Sequence, residues 1–200
     1  MPDTSDQDRV TPFLQAGERL VGAAAFELAP GIPRPPERLL TPRPQNALER
    51  RIAKPFAALA KVQAALNPLS TAAGAAQEAM EDAVPDSLWH GRGMGGDWGS
   101  AAGRFVVRMH DRGALGRGVL AVTDRRVLAV VDLSPVWNVL GREDAVHWQE
   151  PRAAVTDARR NAKGVTQRGR VDLFFHDGSW TGVVTDFATK ADPLAAAFRS

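Results

Sequence analysis

The chain has 200 residues, enough for one well-packed domain with an accessory segment or for two small domains. Its 25 Lys and Arg nearly balance 23 Asp and Glu, a formal charge of +2, so overall charge singles out neither nucleic acid nor an acidic membrane as partner. With no cysteine, disulfide frameworks, thiolate nucleophiles and Cys-ligated zinc are excluded.

Residues 1–12 are acidic and lack periodicity, which predicts a mobile arm rather than the basic start of a secretory signal. No apolar run is long enough to span a bilayer, so the expected location is the cytoplasm, with attachment to a membrane surface as the alternative. Residues 18–28 read equally well as a strand or a short helix. Six prolines follow, Pro30, Pro33, Pro35, Pro36, Pro42 and Pro44, whose missing N–H groups forbid a central strand or helix. Residues 1–45 are therefore read as an arm and a Pro-rich linker. The PxxP spacing also suits an SH3-type ligand, but connectors of this composition are far commoner.

Asn46 and Glu49 have the spacing of a capping box, and Leu48, Ile52, Phe56, Leu59, Val62 and Leu66 recur at helical steps. Pro55 should kink or restart that helix, and a second, Ala-rich helix is expected from Ser70 to Val84. This helical segment, residues 46–90, is expected to pack on the rest of the chain or to serve as a partner-binding hairpin. Residues 91–103 are glycine-rich and predict a loop. They contain a GxGxxG pattern at Gly91, Gly93 and Gly96. A dinucleotide site needs that pattern between a buried strand and a helix, and neither residues 87–90 nor residues 97–100 supply one. No cofactor is expected.

From Arg104 onward, short apolar segments alternate with turn signals, the pattern of an antiparallel β fold. Seven strands are predicted, over residues 105–110, 118–123, 126–132, 145–149, 154–159, 170–176 and 179–185. Asp177-Gly178 suits a two-residue hairpin turn, which would set Phe175 opposite Trp180, Leu173 opposite Gly182 and Val171 opposite Val184. Asp192-Pro193 then reads as an N-cap and first position of a short terminal helix carrying Leu194 and Phe198.

The run Gly118-Val-Leu-Ala-Val-Thr-Asp-Arg-Arg-Val-Leu-Ala-Val130 resembles the Thr-Asp-Arg-Arg hairpin of bacterial pleckstrin-homology-like (PH-like) and GRAM-like domains. Phe175-His-Asp-Gly-Ser-Trp180 resembles their Phe-x-Asp-Gly hairpin. The resemblance spans about residues 103–200 and implies an α+β, mainly antiparallel fold, a bent barrel of about seven strands capped by a C-terminal helix. It implies a binding module rather than an enzyme. The first strand of that domain is either 105–110 or 18–28, the latter making the helical pair an insertion.

No G-x-S-x-G elbow, HExxH or paired-carboxylate spacing occurs, and His90, His110, His147 and His176 fall in separate predicted elements. No catalytic or metal-binding residue is assigned. The candidate ligand site is the basic run Arg159, Arg160, Lys163, Arg168 and Arg170, flanking a predicted hairpin turn that could present cations to an anionic lipid headgroup. Arg125 and Arg126 are read as solvent-facing turn residues. The leading expectation is non-enzymatic protein assembly, with anionic lipid as the alternative, an enzyme near the Gly-rich loop as a lesser one, and nucleic acid disfavoured.

Overall fold

The computed structural model of the chain describes residues 6–41, 91–134, 142–163 and 167–200. The predicted helical pair at 46–90, Trp137 and the centre of the basic turn lie outside the described residues. The described elements are α1 (Asp6–Val10), β1 (Leu20–Leu28), β2 (Met94–Gly95), α2 (Ala101–His110), β3 (Arg117–Thr123), β4 (Arg126–Asp132), β5 (Asp144–Pro151), β6 (Val155–Arg160), β7 (Arg170–Phe175), β8 (Trp180–Thr185) and α3 (Ala191–Ala197). The strands form one antiparallel sheet in the order β5-β4-β3-β1-β8-β7-β6, with β2 added to β8. It is an open sheet of eight strands, not a closed barrel.

Of residues 18–28, Leu20–Leu28 form a strand, which belongs to the same sheet as the second half of the chain. β1 pairs with β3 along its length but with β8 only at Phe26, Glu27 and Leu28. The two terminal strands have side chains on their outer edges. The Ala158 carbonyl accepts from Arg199 at 3.1 Å and its N–H donates to Asp157, while the His147 carbonyl accepts from Arg108 at 2.7 Å. Capping of this kind blunts edge-to-edge pairing with other chains.

β3 and β4 are buried on both faces, which is why they read as continuous apolar runs. Leu120, Val122, Val127, Ala129 and Val131 face the main core with Phe26, Trp148, Leu173, Phe175 and Val183. Val119, Ala121, Leu128 and Val130 face the opposite side, where they meet Val10, Phe13 and Leu14. The N-terminal stretch is therefore no mobile arm over residues 6–13. It carries α1 and a 3-10 turn (Thr11–Phe13), and Val10 has no exposed surface.

The predicted strand at 105–110 is instead the second half of helix α2. Ser100 caps it by accepting from the Gly103 N–H, and Phe105, Val106 and Met109 are fully buried. Its Phe105 ring stands edge-on to Trp148 at 4.8 Å and lies 6.2 and 6.4 Å from Phe26 and Phe175. The terminal helix begins at Ala191 with Lys190 at the N-cap, so Asp192 lies in the first turn, where it pairs with Arg160. Leu194, Ala195, Ala197 and Phe198 enter the same core as α2. The two helices fill the hollow of the bent sheet from different elements, α2 against β5 and β8, α3 against β1 and β6.

The β7–β8 hairpin differs from expectation by one residue. Phe175 donates to the Ser179 carbonyl and accepts from the Gly178 N–H, and Gly178 has φ +79°, so the loop holds three residues, His176, Asp177 and Gly178. The observed partners are Phe174 with Trp180, Leu173 with Thr181, Asp172 with Gly182, Val171 with Val183 and Arg170 with Val184. This register turns Val183 into the core and puts Arg170, Asp172 and Trp180 together on the other face.

Candidate functional site

The five cations predicted as a headgroup site do not share one face. Arg159 is exposed, stacks over Phe174 at 5.0 Å and pairs with Asp157 at 2.6 Å. Its neighbour Arg160 turns the other way, as alternate residues of a strand must, and reaches Asp192 of α3 at 2.6 Å. Lys163 is half-buried in an isolated bridge with Gln167, and Arg168 is exposed.

Arg170 has no exposed surface at all. Its Nε donates to Asp172 at 2.7 Å, one terminal nitrogen donates to Gln167 at 2.7 Å, and the other donates to the Arg92 carbonyl at 2.9 Å. Asp172 also accepts from Asn161, and the Trp180 ring lies 5.9 Å from the guanidinium. Such an ion pair is tolerated in a buried setting because each of the three guanidinium nitrogens donates to an acceptor within the fold. The group is spent on the fold, holding down the segment where the chain returns to the sheet at residues 91–95. There the Gly93 N–H donates to the Gly31 carbonyl and its own carbonyl accepts from Gly182. A Cβ on Gly182 would sit 2.9 Å from Ala29 Cβ and 3.0 Å from Arg170. Gly182→Ala is accordingly expected to cost about 1–3 kcal/mol by overpacking, read from urea denaturation. An unchanged midpoint would mean that the Arg170 side chain can move aside.

A second charged cluster was not anticipated. Arg126, expected in solvent, makes a two-pronged pair with Glu18 at 2.8 and 3.0 Å and donates to the Phe13 carbonyl at 2.7 Å and to Gln149. Thr123 donates to Glu18 at 2.7 Å and accepts from the Arg126 N–H. The hydrogen bonds from Arg126 hold the Glu18 carboxyl down to about 2, against the opposing effect of burial. Asp124 accepts from the Arg19 N–H, and Arg125 donates weakly to the carbonyls of Ala16 and Gly17. The Thr-Asp-Arg-Arg turn thereby fixes the lead into β1, a structural duty for each of its four residues.

The helix that follows the glycine-rich stretch has its N-terminal N–H groups occupied by the chain itself. Ala101 donates to Asp177 at 2.7 Å, Ala102 to Ser179 at 3.0 Å and Gly103 to Ser100 at 3.1 Å. Those are the groups that would hold a pyrophosphate in a dinucleotide site. The Ser179 hydroxyl and the Ala101 N–H lower the Asp177 carboxyl to about 2. A carboxyl depressed in this way stabilises the fold above its unfolded value near 3.8, and the contribution disappears as pH falls toward 2. Asp177→Ala should therefore lower stability at pH 7 by leaving the Ala101 N–H without its carboxylate acceptor. The gap between wild type and variant should close in melts taken from pH 4 downward. A gap independent of pH would argue against this capping role.

Among the described residues the histidines do not assemble. His110 contacts the Val106 carbonyl at 3.0 Å and His176 the Ala154 carbonyl at 3.4 Å. Buried His147 has an unpartnered Nε2, and burial together with the nearby Arg108 cation keeps its imidazole below the usual range. Asp111, buried beside it, accepts from the Thr41 N–H at 2.5 Å and from Arg108 at 2.8 Å, fastening the end of the described Pro-rich segment. Among the described residues no group of three or more metal-ligating side chains occurs, and no helix is long and apolar enough to cross a membrane. One open groove, about 450 Å³, is lined by Arg19, Leu20, Val21, Asp124, Arg152 and Ser200. The Arg152 guanidinium there donates to the carbonyls of Thr123 and Ala197. No protein-family model matches the chain, and no curated protein or solved structure matches it either.

Proposed function

We propose that the chain is a non-enzymatic, PH-like binding module that serves protein assembly through its outer surface. The observation that carries this reading is the filled hollow of the bent sheet. The place where such a sheet would hold a small ligand is taken by Phe105 of α2 and by Leu194 and Phe198 of α3. The strand order, with each end strand reached through consecutive hairpins and a helix at the C-terminal side, supports the PH-like reading. The buried charged groups Glu18, Asp111, Arg170 and Asp172 are each engaged in pairs within the fold. What remains for recognition is the exterior, where Leu115 and Phe187 expose 70% and 63% of their surfaces.

The test is photo-crosslinking in the native host from single photoreactive residues at Leu115, Phe187 and Arg159. The reading expects a discrete crosslinked protein from at least one position, competed by unlabelled chain. Absence of any such species, together with specific sedimentation on anionic liposomes that is lost in Arg159→Glu/Arg168→Glu, would replace it with the lipid reading.

A further inference from the structure

The outer face of β1, β3 and β4 is covered by the chain's own N-terminal segment, held by one buried apolar side chain and two charged contacts. Val10 inserts fully among Val119, Ala121, Leu128 and Val130, in a shallow channel flanked by the small side chains of Ala23 and Ala25. On one side of Val10, Arg9 makes a two-pronged pair with Asp144, at 2.6 and 3.1 Å. At the start of the helix, Asp6 accepts from the Ala25 N–H at 3.0 Å and from Lys190 at 2.7 Å. That N–H lies on the stretch of β1 that β8 does not reach, so Asp6 satisfies a strand-edge donor. A five-residue helix is far too short to be stable alone, so the channel supplies its conformation.

On the basis of the protein-binding reading above, we infer that this channel is a docking site for a short helical segment of the pattern Asp-x-x-Arg-Val. Residues 6–10 occupy it in cis, and a segment of the same chemistry on a partner protein displaces them. The partner's Arg replaces Arg9 on Asp144, its Val replaces Val10, and its Asp caps Ala25. Exchange of the arm between two copies is disfavoured by the connection, because Arg126 holds the Phe13 carbonyl and Arg125 holds those of Ala16 and Gly17. Only the stretch before Phe13 lifts. Since the tethered segment competes at an effective concentration of about millimolar, the wild-type chain binds a free copy weakly.

A charge swap tests this without relying on loss of function. Asp144 faces Arg9 and, at 3.9 Å, Arg142, so Asp144→Arg expels the chain's own Arg9. Labelled peptides of residues 6–12, with the natural sequence and with Arg9→Asp, are titrated into the full-length Asp144→Arg chain and followed by fluorescence anisotropy. The expected result is at least about tenfold tighter binding of the Arg9→Asp peptide than of the natural one. The Ala25 amide should exchange faster in the variant and regain protection when that peptide binds. A folded Asp144→Arg chain that binds neither peptide, or both equally, overturns the inference. If that variant does not fold, Val10→Asp, which ejects the segment from its channel, must bind the natural peptide, and failure there overturns it too. Such failure leaves crosslinks from Leu115, Phe187 or Arg159 unaffected, so it is distinguishable from failure of the binding-module reading itself.

Discussion

Phe105→Ala is expected to lower stability by about 3–5 kcal/mol, the range for deleting a large aromatic ring from a close-packed core. Phe105 is fully buried and contacts Phe26, Trp148 and Phe175, which stand on strands β1, β5 and β7. It is the side chain that ties the two halves of the sheet to α2. Its removal leaves a cavity that three other rings cannot readily close, because each is held by its own strand. For a chain of this size the loss corresponds to a melting temperature lower by roughly 10 °C. Near-UV circular dichroism from Trp148 should weaken along with it. A loss below about 1 kcal/mol would mean that the hollow is loosely filled and has room for a ligand.

Arg170→Met should be comparably damaging, at about 3–5 kcal/mol, because it strips Asp172 of its cationic partner inside the fold. Gln167 and the Arg92 carbonyl lose their donors at the same time. Arg159→Met, on an exposed side chain whose ion pair with Asp157 faces solvent, should change stability by well under about 1 kcal/mol. The contrast is informative, since the two residues belong to one basic run in the sequence. If both substitutions left stability intact and both abolished binding to anionic vesicles, the assignment of Arg170 to the fold would be wrong. Proteolysis at residues 91–95, where Arg170 holds the chain down, should accelerate in Arg170→Met and not in Arg159→Met.

Six of the seven predicted strands were legible, because β3 to β8 combine β-branched residues with turn signals at short intervals. Helix α2 was not. Residues 105–110 taken alone, Phe-Val-Val-Arg-Met-His, favour a strand, and only with Ala101 and Ala102 does the spacing to Phe105, Val106 and Met109 become helical. Its cap lay in a glycine-rich stretch that reads as loop. The β7–β8 register slipped because Asp-Gly was given a two-residue turn. The Asp177 side chain instead reaches across to α2, a tertiary demand invisible to local pattern, and the loop takes a third residue.

The charged residues illustrate the same limit. Arg170 and Arg126 look like surface cations in a chain where most basic residues are Arg. Their burial depends on partners distant in sequence, such as Arg92 for Arg170 and Glu18 for Arg126. The alternation on β7 offered one clue, since a residue spaced two from Asp172 on the same face is placed to pair with it. The docking of residues 6–13 had no periodic signal, because five residues cannot show one.

The hollow of the sheet is filled by Phe105, Leu194 and Phe198, which leaves the exterior for the proposed recognition. Amide and indole NMR spectra of the full-length chain, titrated with nucleotides, inositol phosphates and divalent cations, test this most directly. Trp148, 8% exposed and in contact with Phe105 and Phe175, reports on the interior. Its indole resonance is expected to stay fixed throughout, with any shifts confined to exposed residues. A saturable shift of the Trp148 indole with any of these compounds would contradict it.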